Sequence, residues 1–421
     1  QTAPWLGGLA QSEYEWALVA RRFADTAITN EEGDTFEFRM VAENGSPLHS
    51  GPNPVLQLTI PPGHLGGTFI EAPGRIGPWQ ASNGDLYFIM EPSETDNLFM
   101  IVKSADNGMT WQEVDAANRP ETNDLEAVEG RQVGDTIYIL HQVTESVHLH
   151  AFRTSDHATH PDTWAFTDEL AAMADSMAQS ASMDVRSDGS MVAFYVGQTL
   201  HYNVRPAEGT WGQQVIIDPD APAAAGPKVV TGANDTVHVA YYRTDGTLWY
   251  RSLLLDGSLT DAQLLASGAG TSRAEYGAVL PLVYIPESET VVIIYRLDDG
   301  YLWERRIGKS GTLSDPVRVS DHPVVTDAVD SQQAGADAIV DRQTIHLLFI
   351  DEETRSIFST HDRNGWQPST LQVGGILGSW VRGNLYANEN GENVYGYIYD
   401  AGSDGGAGMN RYGELKLPAR K

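Results

Sequence analysis

Between Asp135 and Ser155 the chain reads DTIYILHQVTESVHLHAFRTS. Apolar side chains dominate two short runs, Thr136–Gln142 and Val147–Thr154, and a polar turn separates them. That pattern predicts two antiparallel strands. The unit recurs: DLYFIMEP, TIYILHQ, SMVAFYVG, TVHVAYYR, TVVIIYRL, TIHLLFID and NVYGYIYD have the same character. Aligned on their apolar positions, one column holds Met90, His141, Tyr195, Tyr242, Tyr295, Ile350 and Tyr399, in steps of 51, 54, 47, 53, 55 and 49 residues. Repeats of ~40–50 residues with four strand-like runs each are the signature of a β-propeller. The expected fold is all-β, with seven four-stranded antiparallel blades. The column falls where a strand runs into its turn, the place where a propeller presents side chains to its binding face.

The blades are expected at about 74–118, 120–170, 178–219, 225–268, 275–320, 331–373 and 380–421. Residues 1–75 are less regular and hold three strand-like runs, EWALVARRF, TFEFRMVAE and PVLQLTIPP. The last repeat lacks a fourth run. An N-terminal strand is therefore expected to complete it and close the ring, which removes two exposed sheet edges. On this reading residues 1–421 form one domain, with the rest of 1–75 packed on the propeller. The stretch Asp168–Ser182, DELAAMADSMAQSAS, is expected to form a turn or two of helix between blades.

Composition narrows the partners. The 421 residues carry a formal charge of −30 and no Cys, which excludes disulfides, thiolate metal sites and a Cys nucleophile within them. The acidic balance argues against nucleic acid and anionic membranes. No apolar run is long enough to span a bilayer. An anionic polysaccharide is compatible with this charge only if a local basic patch exists. Abundant Gly, Trp and Tyr, with a chain starting at Gln1, fit a processed secreted or periplasmic protein, expected to be a monomer.

Ser104-Ala105-Asp106-Asn107-Gly108-Met109-Thr110-Trp111 matches the Asp-box, S-x-D-x-G-x-T-W, which joins the third and fourth strands of a blade. With the blade pattern, this box resembles the sialidase-like BNR-repeat propellers, from Arg75 to the end of the chain. Three groups share that architecture: sialidases, polysaccharide lyases of the ulvan lyase and rhamnosyl-glucuronate lyase type, and lectins. Sialidases imply an Arg-Ile-Pro motif and several Asp-boxes; here there is one good box and no such motif. The lyase resemblance implies His, Tyr and Arg at second-strand ends and inner-strand starts. His141, Tyr195 and Tyr242 stand in such positions, with Arg243 and Arg296 one step further. Asn123 and Glu126 lie where those lyases carry an upstream His, and Tyr195 stands where they carry an Arg.

A uronate lyase must neutralise the carboxylate, take the C5 proton and protonate the leaving 4-O oxygen. His141 is the candidate base, because imidazole titrates near neutrality. Tyr195 or Tyr242 is the candidate acid, and Arg243 and Arg296 are candidates for neutralisation. Arg273, Tyr276, Trp380 and Arg382 fall near inner-strand starts. With Trp79, Asn123, Tyr295 and Tyr399 they make up the candidate substrate-binding set, Trp79 and Trp380 by stacking on sugar rings. The competing reading of each Tyr is packing between blades, and of each Arg a charge paired with a turn Asp. His148 and His150, two apart on a strand, are candidate ligands for a structural Zn²⁺, and Asp298-Asp299 for Ca²⁺. An inter-blade His cluster is the simpler reading. The expected activity is β-elimination on a uronic-acid polysaccharide. A sialidase-like glycoside hydrolase is the second enzyme class and needs two facing carboxylates. A lectin is the non-enzymatic alternative, and the divergence of the rim column favours one asymmetric site over many equal ones.

Overall fold

A computed structural model describes residues 58–59, 74–90, 98–114 (without 99 and 109), 119–121, 128–154 (without 144), 164–174, 181–221, 226–268 (without 244), 281–325, 335–376, 380–400 and 410–417. These residues form seven four-stranded antiparallel sheets, the expected seven-bladed propeller. Blade one covers 79–114, blade two 129–173, blade three 181–218, blade four 228–266, blade five 282–318 and blade six 336–373. In each, sequence order is sheet order, and the first strands of neighbouring blades lie against one another, so the first strand of a blade is the inner one.

Blade seven is composite. Its inner strands are Val381–Ala387, Asn393–Asp400 and Asn410–Lys416, and its outer strand is Leu58–Thr59. Leu58 pairs with Tyr412 and Thr59 with Arg411. The expected N-terminal closing strand is thus present, within PVLQLTIPP. The other two N-terminal runs lie outside the described residues. Among those described, no helix is long and apolar enough to cross a membrane.

One local expectation is corrected. Trp164–Met173 is a strand, so the helical reading of Asp168–Ser182 fails over its first half; residues 175–180 lie outside the described residues. Alanine-rich composition favours helix only weakly. Here it yields to ladder pairing with Ser146–Arg153, interrupted by bulges, with Asp168 at φ 63°.

The second strands show why the blades hold together. Met191–Val196 and Leu86–Met90 are buried along their whole length. Both faces of such a strand meet neighbouring blades, so continuous apolar runs replace alternation. The Asp-box sits between Met100–Ser104 and Gln112–Val114, as expected. The Gly108 N–H donates to Ser104 Oγ (2.8 Å), and the Thr110 N–H donates to Asp106 Oδ1 (2.7 Å). Gly108 has φ 83°, and a Cβ there would lie 2.3 Å from the Tyr412 ring. Trp111 packs on Phe88 of its own blade (5.1 Å between centroids) and on Tyr412 of blade seven (5.4 Å). The motif therefore braces the seam where the ring closes.

Removing that ring leaves a cavity at the seam. Trp111→Ala is expected to destabilise the protein by about 3–5 kcal/mol. Guanidinium unfolding checks this, and a loss below about 1 kcal/mol would show that the seam does not depend on Trp111.

Candidate functional site

The inner strands line a central channel. Near their first residues it narrows to a polar pocket walled by Arg75, Glu129, Arg131, Ser182, Lys228, Asp337 and Arg382. These come from the segment before blade one and from blades two, three, four, six and seven. Blade five contributes apolar Pro281 and Leu282.

Hydrogen bonds fix most of these groups. The Arg131 guanidinium donates to Glu129, to the Gly130 carbonyl (2.9 Å), to Asp184 Oδ1 (3.1 Å) and to the Val229 carbonyl (3.3 Å). It thereby ties three blades together. Asp184 also accepts from the Val185 N–H (2.9 Å) and the Thr231 N–H (2.5 Å). Arg382 donates to the carbonyls of Val381 (2.7 Å) and Ala336 (3.2 Å). Asp337 accepts from the Gly383 N–H and the Tyr395 hydroxyl, each at 2.8 Å. Ser182 is fully buried, and its hydroxyl has no hydrogen-bond partner among the described residues.

Among the described residues, four basic side chains (Arg75, Arg131, Lys228, Arg382) thus gather around three carboxylates (Glu129, Asp184, Asp337). In a chain of charge −30 this is a local excess of positive groups. Burial lowers the Arg131 guanidinium to about 10 and also lowers Arg382. Burial lowers the Lys228 amine well below the ordinary lysine value, and Arg382, Arg131 and Arg75 push the same way. The pocket offers about 40 Å³ to water-sized groups. One water needs ~10–15 Å³, so the pocket suits a carboxylate-sized group rather than a sugar ring.

The rim column is inside the protein. His141, Tyr195, Tyr242, Tyr295 and Tyr399 are each at most 1% exposed. They pack between blades: Tyr195 with Leu140 and Leu149, Tyr242 with Tyr295, Tyr399 with Ile350. Burial raises the phenols of Tyr242 and Tyr399, and that of Tyr295 to about 12. His141 stacks on His150 at 4.5 Å, and their Nε2 atoms are hydrogen-bonded. The Asp168 N–H donates to His150 Nδ1 (3.0 Å), which puts the His150 proton on Nε2 and makes His141 the acceptor. His148 lies 2.7 Å from the Asp168 carboxylate. The histidines therefore form a cluster within blade two, and among the described residues no group of three or more ligand-type side chains could hold a metal ion.

Both candidate arginines of the turns are engaged. Arg243 donates to Asp218 Oδ2 through Nε (3.0 Å) and Nη2 (2.8 Å), and stacks over Trp249 at 3.8 Å. Arg296 donates to the Val324 carbonyl (2.8 Å) and lies 3.5 Å from Glu352. Trp79 and Trp380 are buried at 2% and 1% exposure, so their faces are covered by protein. Of the sequence candidates only Arg382 lines the pocket. Asn123, Arg273 and Tyr276 lie outside the described residues.

Arg75, Arg131, Ser182 and Lys228 were not among the sequence candidates. A signal did exist for three of them: Gly74-Arg75, Gly130-Arg131 and Pro227-Lys228 each put a rare basic residue after Gly or Pro at a blade's start.

No family model matches the chain, and no curated protein sequence does. Solved structures do match. The BP39L lectin from Burkholderia pseudomallei has a TM-score of 0.57 at 12% identity, covering 82% of this chain and 97% of that one. Polysaccharide lyase Uly1 has a TM-score of 0.48 at 11% identity, covering 82% and 90%. The Penicillium chrysogenum alpha-L-arabinanase has a TM-score of 0.42 at 13% identity, covering 85% and 96%. At 12% identity the likeness to the lectin shows the fold alone.

Burial also sets a pH dependence. It lowers His150, His238 and His346 to about 4. The unfolded chain takes up these protons as pH falls through about 6.5, while the native state does not until about 4. Stability is therefore expected to fall on acidification across that window, by up to about 1.4 kcal/mol per pH unit for each histidine. Urea midpoints at a series of pH values test this: His150→Gln should flatten the slope by about one proton, and an unchanged slope would contradict it.

Proposed function

We propose that the protein is a carbohydrate-active propeller that takes an acidic polysaccharide at the channel mouth and cleaves it by β-elimination. The observation that carries this reading is the convergence of Arg75, Arg131, Lys228 and Arg382 at the start of the inner strands of so acidic a chain. Guanidinium groups bind carboxylates with paired, charge-assisted hydrogen bonds. A uronate carboxylate seated there has its charge neutralised, which acidifies the C5 proton. A base takes that proton, the former C5–H electron pair forms the C4–C5 double bond, and the 4-O oxygen leaves with the C4–O pair and takes a proton from water. The small size of the pocket suits the carboxylate alone, with the ring and the chain lying across the mouth.

On this reading neutralisation falls to the channel guanidiniums instead of Arg243 and Arg296, which do not line the pocket. A lectin of the same fold supports saccharide handling in general. Binding without turnover is the second reading.

The test is incubation with a panel of uronate polysaccharides, following the near-ultraviolet absorbance of an unsaturated uronate. A rise is expected. Binding with neither absorbance nor new reducing ends would replace the lyase by a lectin, and reducing ends alone would replace it by a hydrolase. Arg75 is partly exposed. Arg75→Gln is expected to lower kcat/KM by about 10- to 100-fold, the value of one hydrogen bond to a charged group, at nearly unchanged Tm. His141→Gln and Tyr195→Phe test the base and acid roles read from the sequence. Because both side chains are buried and neither lines the pocket, a lower Tm with retained turnover is expected. Lost turnover at unchanged Tm would restore them to the chemistry.

A further inference from the structure

Two polar side chains on the wall of the channel mouth have no hydrogen-bond or ion-pair partner among the described residues. One is the partly exposed Arg75 guanidinium. The other is the fully buried Ser182 hydroxyl. Both border the same pocket, Arg75 from the segment before blade one and Ser182 from the inner strand of blade three. The carboxylates of that wall are turned to other donors: Glu129 to Arg131, and Asp337 to the Gly383 N–H and the Tyr395 hydroxyl. Arg75 instead faces like charge. Burial first, and the Arg75 charge after it, act to lower the Arg131 guanidinium. Donors left without an acceptor in a desolvated wall are costly. A small acceptor that carries a negative charge satisfies both.

We infer that the channel mouth binds one small monovalent inorganic anion, of the class of chloride or formate, with the Arg75 guanidinium and the Ser182 hydroxyl as its donors. Arg75 supplies a fork of N–H groups and a charge that it keeps at every working pH, and Ser182 supplies its one proton. Size sets the class of ion. The pocket offers about 40 Å³ to water-sized groups. At ~10–15 Å³ for each, that is room for roughly three. A halide fits, and so does the three-atom carboxylate of formate. Tetrahedral sulfate, with its larger set of oxygens, does not.

The anion has a consequence for the sugar. If the mouth seats a uronate, as proposed above, the ion and the sugar carboxylate need the same donors and exclude one another. Chloride then raises KM and leaves kcat unchanged, and a sulfate ester on the sugar finds no seat there. This step rests on the uronate reading of the mouth; the anion site rests only on the two donors and the size of the pocket.

Chloride NMR tests the site on the full chain. The ³⁵Cl line width is followed as sodium chloride is titrated into the protein, and then as formate, sulfate or D-glucuronate is added. A chain of net charge −30 repels anions from its surface, which keeps the background low. The expected result is saturable broadening that formate and D-glucuronate reverse and sulfate does not. Affinity should weaken about tenfold in Arg75→Gln and again in Ser182→Ala, the value of one hydrogen bond to a charged group. Circular dichroism checks that both variants fold; Ser182→Ala removes a hydroxyl that has no partner among the described residues, so folding is expected to survive it. Broadening that is absent, does not saturate, or is equal in the native protein and both variants overturns the inference. Sulfate that displaces chloride as well as formate does overturns the small-anion class. Displacement by formate but not by D-glucuronate sustains the anion site and overturns the seating of a uronate in it.

Discussion

The last blade of this ring reaches four strands only by taking one from the other end of the sequence. Here that strand is Leu58–Thr59, set against Asn410–Lys416, so the two ends of the chain meet in one sheet. The seam is then braced from both sides. Trp111 of the Asp-box reaches from blade one onto Tyr412 of blade seven, and Gly108 leaves just enough room for that ring. A core cluster spanning blades one, two and seven surrounds the joint. The single well-formed Asp-box of the chain thus stands where closure asks most of the turn.

Closure has a consequence at the axis. Seven inner strands brought together put their first residues face to face, and in this protein many of those residues are charged. Isolated buried charges are costly, so they persist as a linked set. Arg131 bridges blades two, three and four, and Asp337 links blades six and seven through the Gly383 N–H and the Tyr395 hydroxyl. The same set that staples the inner strands offers positive groups to an anion. Structural and binding roles therefore coincide, which is why the partly exposed Arg75 is the informative member.

The regular column of His141, Tyr195, Tyr242, Tyr295 and Tyr399 shows the other side of repetition. A position that repeats once per blade also repeats its environment, and here that environment is the contact between blades. Burial holds the phenols well above their ordinary range and His150 well below its own, so these groups are neutral near pH 7. His141 bonds to His150, which also accepts from the Asp168 N–H.

The sequence by itself determined the strands, the blade count, the position of the Asp-box turn and the need for a closing strand. Each depends on local patterning or on a repeat of fixed length, and neither requires knowledge of what lies across the molecule. It also showed that an anionic ligand would need a local basic patch in a chain of charge −30. Only the tertiary structure decided where that patch is. Arg75, Arg131, Lys228 and Arg382 are far apart in sequence; they meet because the ring closes and their strands face one axis. The same closure turned the rim column inward. Which face of a strand becomes core is set by the neighbouring blade, and a single strand's pattern does not contain that neighbour.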